Sequence, residues 1–248
     1  SFLFIFSVRW KFRRVRRRFA KLVSEPPQAT QHALQRHRWL SLRHKTVRGA
    51  VDRLILERAF EGIRAAFTPQ QVSYSNAAYG KNHWRLSCFM EYSNGVAAGQ
   101  VDLKAGESMM TECRHIIDAC DAIFLSWYDG LHPRPSSATR SLARLQSFVT
   151  RYRPAPDETH LPRHIDGANV DGSLVLGLPT YDAFSGGGLT VWDGDREREI
   201  FEYPVGVGDV CLLDSRVWHQ SNPITSGERW VIVIFYQVAT VRAEQRGA

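Results

Sequence analysis

Apolar residues recur along this chain with two different periods, three to four residues in some stretches and two in others. Val8, Phe12, Val15, Phe19 and Leu22 form one narrow stripe at helical spacing. A second helical pattern runs over 46–67 through Val47, Val51, Leu54, Ile55, Ala59, Ile63 and Phe67, and Pro69 ends it. Residues 71–103 alternate instead, most clearly over 84–91 (WRLSCFME), and read as strands around an Asn94-Gly95 turn. A further helix fits 106–127, followed by a loop rich in Pro, Ser and His over 131–137. Beyond it, short β-type runs at 144–153, 173–178, 189–192, 199–203, 209–213 and 229–239 are separated by Gly/Asp turns. Many short strands at this spacing predict a closed sandwich of the jelly-roll kind, mainly β with supporting helices. The run 230–238 (WVIVIFYQV) is apolar on both faces, so that strand is expected to be covered on both sides.

Charge separates the front of the chain from the rest. The 248 residues carry a formal net charge of +7, but residues 1–24 hold eight basic side chains and no acidic one. Without them, 24 basic residues face 25 acidic ones, so the body is neutral and offers no basic groove for nucleic acid. The basic stripe-bearing segment suits an anionic membrane surface or a protein partner, or equally a packed helix with a solvated face. Residues 24–45, with Pro26-Pro27 and several Gln and His, read as a linker, so that 1–45 is an extension and 46–243 the folded domain. Within that domain, 46–140 is expected to be helical and hairpin support, and 141–243 the jelly-roll core. The chain opens on Ser, as a fragment or processed product would. Its FLFIF start (2–6) is too short for a signal-peptide core and reads at most as the stub of a membrane helix. No apolar run approaches the roughly 20 residues of a membrane span. Four scattered cysteines, none in a CxxC pair, indicate reduced and mostly buried thiols. Together these lean towards a cytoplasmic or membrane-associated setting.

The chemistry lies in the β-rich half. In His164-Ile165-Asp166 the two polar side chains share one face of an extended segment and can grip one metal. His219 follows 53 residues after Asp166, room for about four short strands that return the chain to the same place. Two His and one carboxylate on one face of a metal leave positions open, as non-heme Fe(II) oxygenases require. Arg229, ten residues later, opens the doubly apolar strand and needs an anion, either a small carboxylate ligand or a protein carboxylate such as Asp214. The Gly186-Gly187-Gly188 run lacks the Lys-Ser/Thr and helix of a phosphate loop and reads as a β-turn.

With that turn, Leu189 and Tyr152, these residues resemble the 2-oxoglutarate/Fe(II)-dependent dioxygenase family, in its prolyl and lysyl hydroxylase branch. The likeness covers roughly 140–240 and implies a double-stranded β-helix core. It further implies His164, Asp166 and His219 as Fe(II) ligands and Arg229 as the anchor of the distal carboxylate of 2-oxoglutarate. Tyr152 would bond that same carboxylate, though core packing explains it as well, and Leu189 would wall the cosubstrate pocket. The expected activity is hydroxylation of a C–H bond, on a peptidyl prolyl or lysyl side chain, with release of succinate and CO₂ and with ascorbate as reductant. The same chemistry on a small metabolite, or a degenerate site serving only as a binding module, are the alternatives. One departure stands out: many relatives place Ser or Thr shortly after the Arg, whereas Trp230, Val231 and Val233 follow here.

Overall fold

The computed structural model describes residues 43–69, 86–92, 104–192 and 199–242. The amphipathic segment 8–23, the FLFIF start and the Asn94-Gly95 turn lie outside the described residues. Strand β1 (His44–Val47) leads into helix α1 (Arg53–Ala66), then β2 (Ser87–Tyr92), α2 (Lys104–Leu131) and β3 (Ala138–Tyr152). The remaining strands are β4 (Leu161–His164), β5 (Gly172–Gly177), β6 (Ser185–Gly186), β7 (Leu189–Trp192), β8 (Glu199–Tyr203) and β9 (Val210–Asp214). Last come β10 (Trp218–Ser221), β11 (Ile224–Ser226) and β12 (Arg229–Arg242).

Two antiparallel sheets face each other, a major one ordered β1-β9-β5-β12-β3-β2 and a minor one ordered β4-β10-β7-β8, with β6 and β11 paired apart. This is the expected mainly β jelly roll, a double-stranded β-helix with two helices in support among the described residues. The period-2 alternation of the major sheet explains why it is covered twice. On β12, Trp230, Ile232, Ile234 and Tyr236 turn outwards into a core shared with Phe60 and Ile63 of α1 and Ile116 and Phe124 of α2. Val231 turns the other way, joining Val175 of β5, Leu213 of β9 and Leu189 of β7 between the sheets. From Trp230 to Tyr236 the strand is enclosed on both faces, as expected, but Gln237 is exposed, so the cover expected over 230–238 ends one turn of the pleat early.

The helical pattern over 46–67 splits into two elements. His44–Val47 is a strand that pairs with β9 at the sheet edge, Val47 opposite Val210, and so begins inside the stretch expected to be linker. Gly49 turns the chain at φ +56°, and α1 starts only after Asp52, whose carboxylate caps the amide of Leu54 at 2.7 Å. Pairing with a waiting edge strand overrides a helical spacing that Val47 shared only by coincidence. Helix α2 extends beyond 106–127 at both ends. Its Gly106 packs so tightly on β2 that an added Cβ would sit 1.9 Å from the carbonyl oxygen of Phe89. All four cysteines are buried and none is in a disulfide. Among the described residues, no helix is long and apolar enough to cross a membrane.

Ile232, fully buried between the sheet and the helices, measures how much the fold depends on this seam. Ile232→Ala is expected to cost about 2–5 kcal/mol of unfolding free energy, read from urea midpoints at unchanged slope.

Candidate active site

The central strand of the minor sheet carries His219, and its antiparallel partner β4 ends on His164. The two histidines are direct cross-strand neighbours, with ring centroids 4.2 Å apart. Each imidazole is oriented by the same local device. His164 Nδ1 lies 2.7 Å from the carbonyl oxygen of Pro162, and His219 Nδ1 lies 2.9 Å from that of Val217. A carbonyl only accepts, so each Nδ1 carries the proton and each Nε2 presents its lone pair.

Asp166, two residues beyond His164, brings Oδ1 to 3.8 Å from both Nε2 atoms. Its other oxygen accepts a 2.6 Å hydrogen bond from the hydroxyl of Ser173 at the start of β5. All three side chains are buried, and one ligand atom from each lies within 4.8 Å of the others. Asp166 Oδ1 itself has no hydrogen-bond partner. A buried carboxylate oxygen left bare beside two lone pairs is costly unless a cation completes it. The donor set fits a divalent metal such as Fe(II), bound on one face with the other open.

The trio faces a cavity of about 310 Å³ between the sheets. Tyr152 and Leu189 line it as well, as do Ser221 and Gln146. Arg229 does not reach the lining; it pairs in register with Tyr152 and lies behind its ring, 5.5 Å from guanidinium carbon to ring centroid. Only 2% of Arg229 is exposed, and none of its three guanidinium nitrogens has a hydrogen-bond partner. Burial pulls its pKa below the usual value, with Tyr152 and Cys211 opposing. The alternative partner is taken, because Asp214 pairs with Arg43 at 2.9 Å and with His132 at 3.2 Å. A desolvated guanidinium with no protein anion is a receptor for a carboxylate from elsewhere.

Gly186, Gly187 and Gly188 all have φ between +76° and +90°, and they join β6 to β7 as a turn. A Cβ on Gly187 would come within 2.9 Å of Arg229 Cδ, so a bare backbone here is what leaves the arginine its place. Trp230, which follows Arg229, joins the core on the helix side.

Ser173, Ser221 and Gln146 escaped the sequence reading. Ser221 was within its reach, because it stands two residues after His219 on the same face of a strand. It accepts the Tyr152 hydroxyl hydrogen bond at 2.9 Å and so places a hydroxyl where none follows Arg229. Ser173 is joined to Asp166 by a turn, and no periodicity announces that contact.

A jelly roll holding a buried His-Asp-His face, with an unpaired buried arginine beside the cavity wall, fits a class of metal- and carboxylate-binding protein. Residues 147–237 match the family described as the 2OG-Fe(II) oxygenase superfamily. The chain is 31% identical over 168 residues to a PKHD-type hydroxylase of Maricaulis maris, covering 61% of this chain and 68% of that protein. It is 32% identical over 80 residues to a PKHD-type hydroxylase of Idiomarina loihiensis, covering 32% of this chain and 35% of that protein. Among solved structures, a Pseudomonas putida prolyl-4-hydroxylase shares the fold at TM-score 0.51 and 15% identity, over 79% of this chain and 92% of that one. The chain belongs to the 2OG-Fe(II) oxygenase superfamily, which implies Fe(II) and 2-oxoglutarate as its cofactor and cosubstrate.

The hydroxyl of Ser173 orients the carboxylate that completes the metal face. Ser173→Ala should weaken Mn(II) binding by about tenfold in anaerobic calorimetric titration, and His219→Ala should abolish it.

Proposed function

We propose that the protein is a 2-oxoglutarate-dependent hydroxylase acting on a prolyl or lysyl side chain of a peptide, with ascorbate as reductant. One observation carries the proposal: an incomplete carboxylate–imidazole face lines the cavity, and an unsatisfied guanidinium is buried next to Tyr152, which lines the same cavity. Either alone would be a costly flaw; together they match the two ends of one ligand, a keto acid at the metal and a carboxylate at the arginine. The PKHD-type hydroxylases among its relatives support hydroxylation as the reaction.

In this reading His164, Asp166 and His219 hold Fe(II), with Ser173 fixing the aspartate. Arg229 binds the distal carboxylate of 2-oxoglutarate through its planar fork, Tyr152 and Ser221 extend a hydroxyl pair alongside, and Leu189 walls the cosubstrate off from water. The bound iron and cosubstrate supply the oxidation: O₂ is consumed, 2-oxoglutarate becomes succinate and CO₂, and one substrate C–H becomes C–OH. The apolar walls exclude bulk water, which would otherwise screen the arginine and compete at the metal.

Succinate should form when Fe(II), ascorbate and 2-oxoglutarate are added in air, and its formation should vanish in His219→Ala. Arg229→Met should raise the 2-oxoglutarate concentration for half-saturation by about a hundredfold, the scale of losing a buried charge pair. The same variant should melt no lower than wild type without cosubstrate, because an apolar chain of similar length replaces an unpaired buried charge. Absence of both succinate formation and Fe(II)-dependent 2-oxoglutarate binding in the wild type would refute the proposal.

A further inference from the structure

Three side chains around the cavity hold buried polar atoms without a hydrogen-bond partner: Asp166 through Oδ1, Arg229 through its guanidinium, and Gln146 through Oε1. The metal answers the first and the cosubstrate carboxylate the second. Gln146 is left over, although leaving a buried acceptor unpaired carries a real cost.

Its position separates it from the carboxylate anchor. Along β3, Gln146, Phe148, Thr150 and Tyr152 all line the cavity at every second residue, so Gln146 stands six residues from the Tyr152–Arg229 pair. Across the sheet it lies opposite Tyr92 of β2 on one side and Phe235 of β12 on the other. Phe235 in turn pairs with Ser173, whose hydroxyl holds Asp166. Gln146 thus shares a transverse row with the residue that braces the metal face. A cosubstrate running from the metal towards Arg229 leaves this end of the cavity to the second substrate.

The local chemistry describes that substrate. Tyr92, Phe148 and Phe235 make the walls aromatic, suited to a flat or ring-shaped apolar group. The strand around it is tied down: the hydroxyl of neighbouring Ser147 donates to Glu91 at 2.8 Å, and Arg144 donates to the same carboxylate at 2.7 Å, joining β3 to β2. One amide oxygen, with two lone pairs, accepts at most two donors. A lysyl ammonium brings three donors and a full charge into this apolar slot, whereas a backbone amide brings one. A prolyl ring has no N–H of its own, so the donor beside it is the amide of the residue that follows.

We propose that Gln146 is a substrate-positioning residue whose Oε1 accepts the backbone N–H following a prolyl residue, with the prolyl ring seated among Tyr92, Phe148 and Phe235. The inference rests on the peptidyl hydroxylase reading above and narrows it to an uncharged prolyl substrate.

The test uses the full chain with Fe(II), ascorbate and 2-oxoglutarate, and three blocked peptides. These are N-acetyl-Ala-Pro-Gly-amide, its counterpart with sarcosine (N-methylglycine) in place of Gly, which lacks the one N–H, and N-acetyl-Ala-Lys-Gly-amide. Hydroxylation is read by mass as a gain of one oxygen. Wild type should hydroxylate the glycine peptide with a KM about tenfold below that of the sarcosine peptide, the scale of one buried hydrogen bond. In Gln146→Met the two KM values should converge, while Gln146→Glu, which keeps an acceptor, should retain the difference. If Gln146→Met fails to fold, the wild-type pair and Gln146→Glu decide alone. A wild type indifferent to the N-methyl group, a Gln146→Met variant that still discriminates, or hydroxylation of the lysyl peptide in preference to the prolyl ones overturns the proposal. So does 2-oxoglutarate turnover without hydroxylation of any of the three. Loss of the underlying reading is distinct, since it shows as no Fe(II)-dependent 2-oxoglutarate binding at all.

Discussion

Arg229 is buried with all three guanidinium nitrogens unpaired, and much of the surrounding architecture serves to keep it so. Removing such a charge from water costs on the order of several kcal/mol, which the rest of the fold must offset. The offset comes from the strand that Arg229 opens. From Trp230 to Tyr236 every second side chain of β12 sinks into the core beneath α1 and α2, while β3 and β5 bond to its two edges. The arginine is carried inwards by a strand whose remaining residues have every reason to be there. Gly187 then leaves open the space that a side chain would fill.

The same logic governs the metal face. His164 and His219 are aligned by carbonyls two residues before each of them, and Asp166 by Ser173. These contacts consume one polar atom of each ligand and leave the other facing its neighbours. At this site a carboxylate oxygen and all three nitrogens of a guanidinium are buried without hydrogen-bond partners. The Arg144 guanidinium, by contrast, meets Glu91 and Asp121 and has no further demand to make of a ligand. Asp214 is likewise spent on Arg43 and His132.

Much of the site was legible before any coordinates. His164 and Asp166 declare themselves by an i, i+2 spacing, and His219 and Arg229 by their order and interval. The strands bearing the histidines were not legible as strands. Leu161–His164 (LPRH) and Trp218–Ser221 (WHQS) show no apolar alternation, since the face they bury is polar and reserved for a ligand. The helix expected from residue 46 gave way to an edge strand because Val47 finds Val210 across the sheet, a contact 163 positions away that local spacing cannot register.

Composition and periodicity thus pointed to a mainly β body, neutral outside its basic first 24 residues, and to a strand covered on both sides, and the family resemblance singled out the residues that would bind a metal and a carboxylate. These are properties of side-chain type and of neighbours a few positions apart, so they survive in one dimension. Tertiary structure alone decided which polar atoms have partners. It assigned Asp214 to Arg43 and left Arg229 unpaired. It placed Ser221 beside Tyr152 as the hydroxyl missing after the arginine, and it set Gln146 in the same sheet row as Ser173. Hydrogen-bond satisfaction depends on what distant strands bring within about 3 Å, and a linear sequence does not carry that distance.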